Sequence, residues 1–182
     1  MKKAVVFLAD GFEECEGLLA VDILRRAGIE TTMASVTGRL NVVSSRHIKI
    51  RADVLAGDVD FSDADIIVLP GGRLGTVNLS KSRIVATQCR RFAEEKMIAA
   101  VCAAPSLLAA LGLLEGRRAT CHPDYEGEMR GATVTREAVT VDGNIITGQG
   151  LGATIPFALA IVAALTEKKI ADHIAAAICY RG

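Results

Sequence analysis

The sequence predicts an α/β fold, doubly wound about a mostly parallel sheet with helices on both faces. Three observations carry that prediction. Apolar segments of strand length alternate with amphipathic segments of helix length. The apolar residues are aliphatic: hydrophobic residues make up 51% of the chain, aromatics only 4%, and there is no Trp, which suits strands buried on both faces. The 182 residues suit one domain, residues 1–182, with a full core.

The elements follow in order. KAVVFLA is a first strand ending at Asp10-Gly11. Glu13, Glu14 and Glu16 open a helix, where acids complement the dipole. Leu18, Val21 and Leu24 form its inner stripe, Arg25 and Arg26 fill its last turn, and Gly28 stops it. ETTMASV is the next strand, and NVVSSRHIKI holds two short β segments of a hairpin-like excursion. ADIIVLPGG is a buried strand ending in a turn, followed by a charged helix over roughly Lys81 to Glu95. MIAAVC is another buried strand, and APSLLAALG is a helix closed by Gly112. AVTVDGNIITG reads as a hairpin around Asp142-Gly143. Gly148 to Gly152 leads into an apolar helix, and KKIADHIAAAI is a terminal helix. No repeat, low-complexity tract or linker interrupts the alternation, which implies right-handed βαβ crossovers.

Charge narrows the partners. Lys plus Arg is 21 and Asp plus Glu is 21, a balance that offers nucleic acid or an anionic membrane no electrostatic reason to bind. The opening MKKAVVFLAD is too short in its apolar run for a secretory leader and lacks a small-residue cleavage site. The most apolar stretch, Ile155 to Leu165, has the length of a buried helix. A cytoplasmic protein is expected. Five cysteines without C-x-x-C spacing, Cys15, Cys89, Cys102, Cys121 and Cys179, argue against a disulfide framework and a zinc site. No metal or cofactor is expected.

Ligands in such sheets bind beyond the carboxyl ends of the strands, and two strands end there suggestively. One closes on Cys102, flanked by Ala100 and Ala104. Small flanks let a nucleophile sit on a sharp strand-to-helix elbow, and a helix starting at Ala103 would aim N–H groups and its positive end at the sulfur, lowering the thiol pKa. The alternative is a buried structural cysteine. The other strand closes on Gly71-Gly72, whose N–H groups, with that of Ala103, could form an oxyanion hole, or simply make a βα turn. Glu13, Glu14 and Glu16 are first explained as helix-start acids. His122 in TCHPD could be a base oriented by Asp124, or a polar loop residue. The glycines of GQGLGA lack the full dinucleotide fingerprint.

Five blocks in order, LADGFEECEGLLAVDILRRAG, IIVLPGGRLGTVNL, IAAVCAAPSLLAALG, TCHP and GLGATIPFALAIV, resemble the ThiJ/PfpI superfamily over nearly the whole chain. The branch they resemble is the Parkinson-disease-protein type, known as protein deglycase or glutathione-independent glyoxalase. The resemblance implies a flavodoxin-like sandwich and a homodimer. It makes Cys102 the nucleophile, Glu16 the acid beside its sulfur, His122 a neighbouring histidine, and Gly72 and Ala103 oxyanion donors, with Gly71 alongside. Arg46, and Arg26 from a partner chain, match arginines near an anion-accepting pocket. Cys15 stands where relatives often have an apolar residue, Arg73 where they often have Asn, and Leu151 where they often have Pro.

The implied substrate is a small reactive dicarbonyl such as methylglyoxal, or its early adduct on a thiol, amine or guanidine, processed without metal, nucleotide or glutathione. The implied resting state is a thiolate beside a protonated carboxyl, titrating as a pair. The same thiol suits a second role, as an oxidation sensor or redox-regulated chaperone. A third, a peptidase or amidase using Cys102, His122 and Asp124, is opposed by the terminal helix, which in this branch restricts access to the cysteine.

Overall fold

Alternating strands and helices can bury two faces of one sheet only if the chain crosses over and returns, and this chain does so. The structure, a computed structural model, describes all residues from Met1 to Gly182. Its strands are β1 (Lys3–Leu8), β2 (Glu30–Ser35), β3 (Asn41–Val43), β4 (Lys49–Arg51), β5 (Val54–Leu55), β6 (Ile66–Leu69), β7 (Met97–Val101), β8 (Arg118–Ala119), β9 (Thr133–Val134), β10 (Val139–Asp142) and β11 (Ile145–Gly148). Its helices are α1 (Glu14–Arg26), α2 (Arg73–Ser80), α3 (Arg83–Glu95), α4 (Ala104–Ala110), α5 (Thr154–Leu165) and α6 (Lys168–Ala177).

Seven strands form the main sheet in the order β10-β11-β7-β6-β1-β2-β5. All neighbours are parallel except the edge pair β10–β11, the flavodoxin-like, mostly parallel arrangement expected. Successive side chains of β1 enter opposite cores: Ala4, Val6 and Leu8 face α1, α5 and α6, while Val5 and Phe7 face α2, α3 and α4. The chain leaves β1 for β2 on one side and returns to β6 on the other. This places the topological switch point between β1 and β6, where the first strand ends at Asp10-Gly11 and the second at Gly71-Gly72.

Several expectations are corrected in detail. Strand IIVL does not end in a simple turn, because α2 begins at Arg73. Gly75, Thr76, Asn78 and Ser80 give that segment weak helix propensity. It is fixed from outside: the Gly75 N–H donates to Gly11 O and the Asn78 side-chain amide to Asp10 O. The charged helix starts at Arg83 rather than Lys81, since Ser82 caps it by accepting from the Val85 N–H. The α1 stripe is Ala20, Val21, Ile23 and Leu24, with Leu18 only half-buried. β5, β8 and β9 are two-residue strands, too short to show a period. The excursion Asn41–Arg51 is the expected antiparallel hairpin, and the hairpin around Asp142-Gly143 is also present. No helix is long and apolar enough to cross a membrane.

Candidate active site

Cys102 follows the last residue of β7 and precedes the helix cap Ala103. Its φ is +64°, a left-handed conformation rare for a residue with a Cβ. Neighbours hold it there: its N–H donates to Gly148 O at 2.9 Å, and its carbonyl accepts from the His122 N–H at 2.9 Å. Ala100 and Ala104 are fully buried, so the elbow has no bulky flank. Strain over-determined by surrounding bonds, on a half-buried thiol, is characteristic of a functional position rather than of core filling.

Glu16 lies in the first turn of α1 and is 1% exposed. Its N–H donates to Glu13 Oε2 at 2.7 Å, so Glu13 is the helix cap. Glu16 Oε2 accepts the Gly71 N–H at 2.9 Å, while Oε1 is buried with no hydrogen-bond partner. Burial pushes this carboxyl up to about 7, against the opposing pull of the Cys102 thiol and the Gly71 N–H. Glu16 therefore holds a proton well into the neutral range.

The glycine pair explains itself sterically. A Cβ on Gly71 would stand 2.7 Å from both Cys102 Cβ and Glu16 Oε2, and 2.8 Å from Val101 O. Gly72 has φ +88°, and its Cβ would collide with Gly11 O. The N–H groups of Gly72 and Ala103 draw the Cys102 thiol pKa down, whereas that of Gly71 is committed to Glu16.

The expectation of a thiol lowered by its helix end needs correction. Burial first, then the Glu16 charge and its contact with the sulfur, push Cys102 up to about 12, outweighing the two N–H groups. The causes tie the two groups together: the upward electrostatic push exists only while Glu16 is ionised. With Glu16 protonated, that repulsion vanishes and its O–H becomes a donor for sulfur. The two groups compete for one proton.

Glu16, Cys102 and His122 line one cleft of about 570 Å³, with Glu13, Gln149 and Leu151 on its walls. His122 Nδ1 accepts the Asp124 N–H at 3.2 Å and lies 3.7 Å from Asp124 Oδ2. A neutral ring so bonded carries its proton on Nε2 and donates there. Asp124 thus does not orient His122 as a base. Arg46 lies instead in a neighbouring recess with Gly72 and Arg73. Arg26 sits at the far end of α1, exposed and paired to Asp22 at 2.6 Å, so this chain does not bring it to its own cysteine. Cys15 is exposed. The terminal helix α6 packs on α5, and no α6 residue lines the cleft, which removes the expected restriction by that helix within the chain.

Glu13 and Glu14 do more than serve a dipole. Glu14 is 6% exposed and its Oε2 accepts from the Ser45 hydroxyl at 3.0 Å and the Arg46 N–H at 3.3 Å, bolting the Ser44–His47 turn to α1. The available signal for Glu13 was the three-residue spacing to Glu16, a carboxylate variant of the capping pattern. Nothing local marked Glu14.

Residues 2–164 match the DJ-1/PfpI family profile. The chain is 38% identical over 180 residues to Parkinson disease protein 7 homolog of Danio rerio, covering 96% of this chain and 95% of that protein. It is 34% identical over 183 residues to Protein DJ-1 homolog B of Arabidopsis thaliana, covering 99% of this chain but only 42% of that longer protein. Deglycase TK1284 of Thermococcus kodakarensis is 28% identical over 152 residues, 82% of this chain and 91% of that one. Among solved structures, Drosophila melanogaster DJ-1beta superposes with a TM-score of 0.95 at 35% identity, covering 100% of this chain and 99% of the other. Oxidized Toxoplasma gondii DJ-1 superposes at 0.96 and 33%, covering all of both chains.

Proposed function

The chain belongs to the DJ-1/PfpI family, and on that premise we propose that it is a cofactor-independent cysteine enzyme of the glyoxalase or deglycase type. Its substrates are reactive dicarbonyls such as methylglyoxal, or their early adducts on protein or nucleotide groups. The observation that carries the reading is the buried Glu16 carboxyl, raised to about 7 and with one oxygen unpartnered, beside the strained Cys102. Raised carboxyls suit general acid–base work near neutrality. The Thermococcus relative named a deglycase lends support.

In this scheme the reacting form is the one in which the pair's proton has passed to Glu16 and the sulfur is a thiolate facing the Gly72 and Ala103 N–H groups, although burial and an ionised Glu16 favour the thiol at rest. The thiolate adds to the aldehyde carbon of methylglyoxal, and the carbonyl electron pair moves to oxygen, which takes the Glu16 proton. The carboxylate then removes the hydrogen of that carbon as a proton, and the hydroxyl proton passes from the first oxygen to the second, giving an enediolate. Returning a proton to the neighbouring carbon leaves a lactoyl thioester, so one carbon is oxidised as the other is reduced and no external oxidant is needed. Water cleaves the thioester, releasing lactate and the thiol. His122, donating through Nε2, polarises the second carbonyl. Glyoxal would yield glycolate by the same steps.

A second reading, an oxidation sensor or redox-regulated chaperone, draws on the same pair. Thiolate attack on a hydroperoxide gives sulfenate plus water or alcohol, and a protonated Glu16 can donate to the oxidised sulfur. The peptidase reading is weakened by the His122 tautomer, which leaves no ring nitrogen to take a thiol proton. We also read the protein as a cytoplasmic homodimer, in which Arg26 of one copy would serve the anion pocket of the other. Turnover decides between the first two readings: metal-free, glutathione-free protein should consume methylglyoxal, whereas a sensor should only take up oxygen at Cys102.

A further inference from the structure

The acid beside the cysteine has a second acid beside it. Glu13 stands on the wall of the catalytic cleft, and the dicarbonyl chemistry gives it no part. Three hydrogen bonds join the two acids through one glycine in a closed ring. The Glu13 N–H donates to Gly71 O at 3.0 Å, the Gly71 N–H to Glu16 Oε2 at 2.9 Å, and the Glu16 N–H to Glu13 Oε2 at 2.7 Å. In the usual capping box the acid at the third helical position bonds directly back to the cap N–H. Here Gly71 is inserted between them, and the Glu16 carboxyl is held against the Cys102 thiol.

Capping alone does not account for a glutamate. Glu13 has the extended backbone of an N-cap, φ −79° and ψ 115°, where Ser, Thr or Asn would bond the Glu16 N–H at least as well. What a carboxylate adds is charge. Burial is the first cause of the raised Glu16 carboxyl, and the Glu13 charge adds to it by repulsion. The sulfur is governed by burial, by Glu16 and by the Gly72 and Ala103 N–H groups, not by Glu13. His122 is the other titratable group on the cleft wall. Glu14 is turned away to Ser45, and Arg46 and Arg73 lie in the recess on the other side of Glu13. Glu13 thus opposes negative charge on Glu16 while leaving the sulfur free to carry it.

We propose that Glu13 is a positioning residue of the Cys102–Glu16 pair: it holds Glu16 through the Gly71 ring, and its charge drives the shared proton from the sulfur to Glu16, raising the share of the reacting thiolate. This role rests on the reading of Cys102 as a carbonyl-directed nucleophile, but its test needs no turnover. The probe is iodoacetamide, an uncharged thiol reagent, with its rate of addition at Cys102 followed by peptide mapping. Well below the Glu16 midpoint both groups hold their protons, and the rate depends on the sulfur alone. Above it, the rate depends on how the one remaining proton is divided between the two.

At about pH 8, Glu13→Gln and Glu13→Ser should each alkylate roughly 3- to 30-fold more slowly than wild type, within the coupling range of side chains that share one hydrogen-bond network. At about pH 5 both should alkylate as wild type does. Glu13→Asp, which keeps cap and charge, should follow wild type at both pH values. Serine is the decisive variant, since it caps the helix without the charge. Wild-type alkylation by Glu13→Ser at the higher pH would overturn the proposal. So would an equal loss at both pH values, the mark of a loosened helix start, or a loss in Glu13→Asp as large as in Glu13→Ser. If wild type forms no lactate from methylglyoxal while the pH pattern holds, the enzymatic reading fails and the role of Glu13 stands.

Discussion

Replacing Glu16 by Gln should raise stability above neutral pH while removing activity, because one carboxyl governs both. In the fold its pKa rises from 4.5 to about 7. At about 1.4 kcal/mol per tenfold, ionising it in place costs at most about 3 kcal/mol of native stability. Below 4.5 both folded and unfolded chains keep this proton and the term is absent. Between 4.5 and about 7 the unfolded chain loses it first, so native stability falls as pH rises, and above 7 the whole cost is present. Glutamine has no such cost, and its amide oxygen can accept the Gly71 N–H in place of Oε2. The measurement is urea unfolding of wild type and Glu16→Gln at about pH 4.5 and pH 8, where the variant's relative advantage should grow by up to about 3 kcal/mol. Comparing the two pH values cancels any pH-independent misfit of the amide. In parallel, lactate formation should fall on the order of 10²–10⁴-fold. A stability difference that is the same at both pH values would refute the raised carboxyl, and near-wild-type lactate formation would refute its role in proton transfer.

Other outcomes follow from the same geometry. Gly71→Ala, whose Cβ would press on Cys102, Glu16 and Val101 O, should lower stability by roughly 1–3 kcal/mol in denaturant unfolding and abolish turnover. A wild-type midpoint with full activity would show the turn to be slack. Mapping of alkylated peptides at neutral pH should find Cys102 modified faster than the more exposed Cys15 and Cys179, and the reverse order would remove Cys102 as nucleophile. Sedimentation at micromolar concentration should show a dimer, whereas a clean monomer would leave Arg26 without a part.

Much of this site was legible in the sequence because it depends on local residues. The run IAAVCAA could place Cys102 on an elbow, since small flanks and a strand-to-helix switch are local properties. The pairing of Glu16 with Cys102 was different: 86 positions separate them along the chain, and only resemblance brought them together, since three acids in one helix turn look alike before the fold buries one. Burial is also why the thiol expectation went wrong. A helix end is readable from residue order, but desolvation and a buried acid brought in from α1 are not. α2 was missed for a related reason: its glycines and polar residues are poor helix formers, and its order comes from bonds to the β1–α1 loop. Glu14 and the recess around Arg73 depend on where the Asn41–Arg51 hairpin folds back, which no periodicity records.

The central claim is that Cys102 and Glu16 together carry out an internal redox of a dicarbonyl. The most direct test is proton NMR of methylglyoxal incubated in deuterated buffer with metal-free, glutathione-free protein. The account predicts lactate bearing solvent deuterium at its second carbon, formed through an exchangeable proton on Glu16, and no lactate from Cys102→Ala. Absence of lactate from wild type, or equal lactate from Cys102→Ala, would contradict it.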